Sequence, residues 1–134
     1  MNIVCGKWGD KYSAEYVNKL YSMCSKYVTE PWELTCYTDD PSGLNASIKV
    51  IPIESDLEGW WCKLDLLNLF TEGETLLFDL DIALLNPLDR LLSVKTRKLS
   101  VLYCSWKEGF LTPRKNEKYD TLYNSSIMKW SGDQ

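Results

Sequence analysis

Two aspartates one residue apart, Asp79 and Asp81, interrupt Thr75–Leu85, a run that is otherwise almost wholly apolar. Side chains alternate along a strand, so both carboxylates project to one side and Leu80 to the other. Two like charges in one small volume resist joint ionisation, and such a pair calls for a cation, a shared proton or open solvent. A hard divalent ion is the functional answer; two acids that end a strand and meet water are the bland one. In open α/β sheets ligands collect beyond the carboxyl ends of the strands, where this pair would stand.

The rest of the chemistry is narrowed by what the 134 residues lack. Histidine is absent, which removes the commonest general base and the commonest metal ligand. Reactions must then run on carboxylates, amines, hydroxyls or a carboxylate-bound metal. Cys5, Cys24, Cys36, Cys62 and Cys104 are odd in number and form no C-x-x-C pair. They lie mostly in apolar runs, as small buried thiols do, which argues against zinc and against a disulfide framework. A net charge of −4 with no basic cluster longer than Arg97-Lys98 leaves no footprint for nucleic acid. No stretch approaches the ~18 apolar residues of a membrane span, and Met1–Lys7 carries no basic leader. No membrane span and a cytoplasmic location are expected.

The elements that must hold the acid pair follow from periodicity. Asn2–Gly6 is a short apolar strand, Lys7–Tyr12 a loop, and Ser13 starts a helix with Tyr16, Leu20, Met23, Cys24 and Tyr27 on its apolar stripe. Glu33–Thr38 is a second strand, stopped by the turn residues Asp39–Gly43, and Ile48–Ile53 a third, placed at an edge by Pro52. Trp60–Phe70 reads as a helix burying Trp60, Leu64 and Leu67, and Thr75–Leu85 as a continuous central strand covered on both faces. Leu88–Leu92 suggests a short helix, Leu99–Cys104 a strand, Lys107–Tyr119 a polar loop and Ser126–Trp130 a last strand. This βαβ rhythm, without a linker or internal repeat, predicts one α/β layer sandwich over residues 1–134.

Phe78-Asp79-Leu80-Asp81, with Gly59-Trp60-Trp61-Cys62-Lys63-Leu64 before it and Asn124-Ser125-Ser126-Ile127-Met128-Lys129-Trp130 after it, resembles the nucleotide-sugar-dependent glycosyltransferases of the GT-A fold. The pattern is closest to small bacterial and viral members and to glycogenin-like families. Lys7-Trp8-Gly9-Asp10-Lys11-Tyr12 and Thr38-Asp39-Asp40 are similar to that family's nucleotide-binding loops. The resemblance implies a Rossmann-like α/β/α sandwich with a mostly parallel sheet and one antiparallel strand. It implies transfer of a sugar from a nucleotide-diphosphate donor, most often a UDP-sugar, to an acceptor it leaves open. Asp79 and Asp81 are then the ligands of Mn²⁺ or Mg²⁺, flanking Leu80, and Lys63 a second positive charge toward the donor. Lys7, Trp8 and Tyr12 fall to the nucleotide, with Tyr12 stacking on the base. Asp39 reads the base and Asp40 stands beside it or caps the turn, while Asn124, Ser125 and Ser126 line the sugar side. Trp130 is either a sugar platform or a buried closing-strand residue.

The family commonly draws a further metal ligand, often His, from a C-terminal segment, and in this sequence, which has no His, either water or diphosphate oxygens fill that place or the metal binds weakly. Typical members also carry a longer acceptor-binding half. The chain therefore reads as a minimal donor domain, and a homodimer is expected to cover its open edge and aromatic surface. A catalytic base could be drawn from Glu108, Glu117 or Asp120 without a means to choose. Two rivals stand beside this reading. Leu77–Asp81 looks like the nucleophile motif of haloacid-dehalogenase-type phosphatases, although that motif belongs on a first strand and continues differently. The other rival is a non-catalytic nucleotide-sugar-binding module.

Overall fold

The protein's computed structural model describes residues 1–96, 98–105 and 122–132. Six strands form one sheet: β1 (Asn2–Lys7), β2 (Glu33–Thr38), β3 (Lys49–Pro52), β4 (Glu74–Phe78), β5 (Ser100–Tyr103) and β6 (Tyr123–Ser131). Their order is β3-β2-β1-β4-β6-β5. The first four in that order run parallel, and β6 lies antiparallel to both of its neighbours. Helices α1 (Ala14–Tyr27), α2 (Asp65–Leu69) and α3 (Asp89–Leu92) complete the described elements, with a 3-10 segment over Gly59–Leu64 leading into α2. The α/β sandwich with one antiparallel strand is as the sequence predicts, and Pro52 does lie on an edge strand.

Strand alternation divides the interior into two cores. Ile3, Cys5, Leu34, Cys36, Leu76 and Phe78 face α1, whose Val17, Leu20 and Cys24 pack against them. Val4, Tyr37, Leu77, Met128 and Trp130 face the opposite way, onto Cys62 and Leu66. Burial on both faces explains why the strands read as near-continuous apolar runs rather than alternating ones.

Three elements differ from expectation. The helix stripe is turned so that Val17, Leu20 and Cys24 are innermost, while Tyr16 is exposed and sets its ring edge-on to Tyr12 at 5.0 Å. The segment after Gly59 winds with the tighter three-residue period and buries Cys62 and Lys63, leaving Trp60 and Leu64 exposed. The central strand stops at Phe78 and does not run on to Leu85. Its pairing with β1 ends at Leu77, the Asp79 N–H makes a last ladder bond to the Ser126 carbonyl at 2.8 Å, and the chain then turns. Leu80 and Leu84 fold back into the α1 core, where the Leu84 N–H meets Met23 Sδ at 3.3 Å.

At the other side of β4, Lys129 is a buried cation. Its Nζ donates to the Leu92 carbonyl at 2.6 Å and the Val94 carbonyl at 2.7 Å, with Glu74 Oε2 at 3.3 Å, so it ties the end of α3 to the sheet. Trp130 is buried in the second core and its indole N–H donates to the Phe70 carbonyl at 2.9 Å, so its role is that of a closing-strand residue. No helix among the described residues is long and apolar enough to cross a membrane.

Candidate functional site

A cavity of about 510 Å³ opens beyond the carboxyl ends of β1 and β4, within the size range of small-molecule sites. Three segments build it. Gly6, Trp8, Lys11 and Tyr12 come from β1 and the loop after it; Gly59, Trp60, Cys62 and Lys63 come from the 3-10 segment; Asp79, Leu80, Asp81 and Ser125 come from the ends of β4 and β6. Adjacent parallel strands whose crossovers leave in different directions produce such a crevice, and the acid pair stands in it.

The charges are arranged in a chain. Lys63 Nζ donates to Asp79 Oδ1 at 2.9 Å and Oδ2 at 3.2 Å, and to the Ser125 carbonyl at 3.2 Å. The Tyr12 hydroxyl donates to Asp81 Oδ2 at 3.1 Å. Lys11 Nζ lies 4.8 Å from the centre of the Tyr12 ring. Its ammonium is held above its ordinary pKa first by the Tyr12 phenol and then by the fields of Asp81 and Asp79. Cys62 forms part of the wall, and burial pushes its thiol up to about 11, so it is protonated at neutral pH.

A bulge in β6 makes this closure feasible. The β5 pairing jumps from Val101↔Met128 to Leu102↔Asn124. That frees residues 125–127 from β5, a common use of bulges beside sites. Asn124 Oδ1 accepts the Ser126 N–H at 2.7 Å and holds the bend, while Ser125 reaches the cavity.

Of the residues singled out from sequence, Asp79, Asp81, Lys63, Trp8, Tyr12, Leu80 and Ser125 line this one cavity. Lys7, Asp39, Asp40, Asn124 and Ser126 stand outside its lining. Lys7 is buried and donates to the Asp40 carbonyl at 3.3 Å, bracing the turn after β2. Asp39 Oδ2 accepts the Gly9 N–H at 2.9 Å, which pins the β1 loop where Gly9 takes a left-handed φ of 62°. Asp40 Oδ1 accepts the Ser42 N–H at 2.9 Å, and its bonds with Ser42 hold its carboxyl below the usual carboxylate range. Glu108, Glu117 and Asp120 lie outside the described residues.

Lys11, Trp60 and Cys62 enter the cavity without having been selected as site residues. The signal for Lys11 was its place one residue before Tyr12 in the quoted loop, and the signal for Trp60 was Gly59 before it, whose φ of 61° turns the chain. Among the described residues, no group of three or more His, Cys, Asp or Glu gathers that could hold a metal ion. A second cavity of about 380 Å³ lies between β3 and α2, where Asp65 accepts from Tyr37 at 3.0 Å and Ser55 at 2.5 Å.

No protein-family model matches the sequence, and no curated protein matches it. Solved structures do. A galactosyltransferase, LgtC, in complex with donor and acceptor sugar analogues, is similar over 98% of this chain and 58% of its own, at 12% identity and a TM-score of 0.63. The glycosyltransferase GlyE of Streptococcus pneumoniae TIGR4 matches over 98% of this chain and 34% of its own, at 10% identity and a TM-score of 0.65. WbbM, a bifunctional glycosyltransferase, matches over 98% and 31% with the same identity and score. This chain thus spans less than two thirds of each of these proteins, and its fold is that of the GT-A glycosyltransferases.

Proposed function

We propose that the cavity binds the diphosphate and sugar of a nucleotide-sugar donor, and that the chain is the donor-binding unit of a metal-dependent glycosyltransferase. The observation that carries this reading is the convergence of Asp79, Asp81, Lys63, Lys11 and Tyr12 on one cavity at the strand ends of a GT-A fold. The phosphatase and the non-catalytic module draw no support from the similar structures, which carry glycosyltransferase names.

The donor set suits Mn²⁺ or Mg²⁺. Such ions bind through one or two carboxylates and take the remainder of their shell from water and substrate phosphate. Asp81 is exposed and Asp79 half-buried, and both line the cavity. When bound, the ion offsets negative charge on the departing diphosphate. Lys63 is a positioning residue: held by Ser125, it fixes Asp79 and lowers the repulsion between the two acids. Lys11, on the exposed loop, supplies a cation toward the diphosphate. Trp8 and the Tyr12 ring offer surfaces to the base, and the Tyr12 hydroxyl orients Asp81. UDP is the first nucleotide to try, and the acceptor stays open.

Two further parts of the reading concern setting. A cytoplasmic location agrees with five buried, free thiols. A homodimer through the β5 edge agrees with exposed Val101 and Tyr103 on that strand. The test of function is a thermal-shift panel of nucleoside diphosphates and their sugars with and without Mn²⁺. UDP with Mn²⁺ should raise the melting temperature of the parent, and Asp81→Ala should lose that rise while keeping its circular dichroism. An Asp81→Ala protein that binds Mn²⁺ and UDP as the parent does would refute the assignment.

A further inference from the structure

Trp60 is 71% exposed and Trp61 56% exposed, although both are large apolar side chains next to a packed turn. The cause is local. Gly59 enters the 3-10 segment with φ 61°, and the tight winding that buries Cys62 and Lys63 turns the two preceding indoles outward. Their ring centroids are 6.4 Å apart and inclined by 46°. Trp60 is a wall of the same cavity that holds Lys63, Asp79 and Asp81.

The aromatic groups of that cavity come from two separate segments. Trp8 and Tyr12 lie on the loop after β1, which Asp39 pins through Gly9; Trp60 lies on the 3-10 segment. A transferase must seat two ligands, and the loop set is taken by the donor in the reading above. An indole facing outward beside carboxylates, an ammonium and a serine suits a pyranose. The apolar C–H face of the sugar stacks on the ring, and its hydroxyls turn to the polar groups.

We propose that Trp60 is the stacking platform for a pyranose ring of the acceptor, outside the donor's own place in the cavity. This rests on the donor-binding reading of the cavity, and the experiment separates the two. Saturation-transfer NMR is recorded on the parent, Trp60→Ala and Trp60→Phe with lactose, maltose and cellobiose as probes, and UDP with Mn²⁺ is titrated in parallel. Light scattering is measured on each protein.

The parent should transfer saturation to the ring C–H protons of at least one disaccharide. Trp60→Ala should weaken that disaccharide by about three- to tenfold, Trp60→Phe by less, and UDP–Mn²⁺ affinity should stay within about twofold throughout. The proposal is overturned if Trp60→Ala binds the disaccharide as the parent does, or if none of the three touches the parent. It is also overturned if UDP affinity is what falls, which makes Trp60 a base platform, or if a parent dimer becomes monomeric in Trp60→Ala, which makes the patch a self-association surface. Disaccharide binding through Trp60 in a parent that ignores UDP with Mn²⁺ would sink the donor reading and leave the sugar platform standing.

Discussion

Lys63 and Asp79 form a two-pronged ion pair, with Nζ 2.9 Å from Oδ1 and 3.2 Å from Oδ2, and the same ammonium reaches the Ser125 carbonyl. One aspartate of the cavity is therefore paired from within, whereas Asp81 makes no ion pair among the described residues and lies in the field of Lys11. The lysine side chain is 11% exposed and the aspartate 31%, so the pair stands between a dry interior and a surface.

Lys63→Met leaves Asp79 without its partner and should destabilise the protein by about 2 kcal/mol, less than for a fully buried pair. Urea unfolding measures this. Glu15→Gln, which breaks the exposed Lys19–Glu15 pair on α1, serves as the contrast and should change stability by under ~0.5 kcal/mol.

Lys11→Gln removes an exposed cation and should leave the melting temperature of the free protein nearly unchanged. Its effect appears in calorimetry with UDP and Mn²⁺, where affinity should fall about fivefold at low salt and by less as salt screens the charge. Equal affinity at low ionic strength would remove Lys11 from the diphosphate site.

Lys129→Met strips two carbonyls at the end of α3 of their donor. A loss of about 2–3 kcal/mol is expected, with faster amide exchange over residues 88–94. UDP–Mn²⁺ binding at temperatures well below the melt should match the parent, because Lys129 does not line the cavity.

Alkaline pH should unfold the protein more readily. Burial pushes Cys62 from 9.0 up to about 11 and Cys24 up to about 12. Burial, followed by the bond to Asp65, also raises Tyr37. Above pH 9.0 the unfolded thiols release protons that the folded ones retain, so the stabilising contribution is full below that value and is lost as pH climbs toward 11 and 12. The urea midpoint should drop across that window. At about pH 8 iodoacetamide should label Cys62 and Cys24 only after urea is added.

Sequence patterning located the strands because hydrophobic runs bounded by Gly, Pro and Asp are local signals. It could not see that β4 ends at Phe78. Leu80 and Leu84 are as apolar as the strand before them, and only the arrival of β6 and α1 decides whether they pair or pack. Strand alternation put the two carboxylates on one side, whereas Lys63 entered only through the resemblance, and its bond to Asp79 is a tertiary contact that no local signal carries. The division between Lys7 and Lys11 was not legible either. The sequence put both in one loop, but Lys7 is the last residue of β1 and lies beneath the Asp40 carbonyl, while Lys11 follows the turn at Gly9 and lines the cavity. Helical spacing put Trp60 inside, and the tighter winding of the 3-10 segment turned it out.

β6 lies between β4 and β5 in the sheet but follows both in the chain. On a ribosome, which delivers the N-terminal segments first, the acid pair and Lys63 emerge well before the strand that supplies the Ser125 and Ser126 carbonyls. Until residues 123–131 arrive, β5 has no neighbour in the sheet, the Asp79 N–H lacks its acceptor and β4 presents an open edge. The cavity is consequently completed only once β6 has been made, and a chain stalled before β6 exposes the open edge of β4, paired on its other side with β1, to other nascent chains and to chaperones.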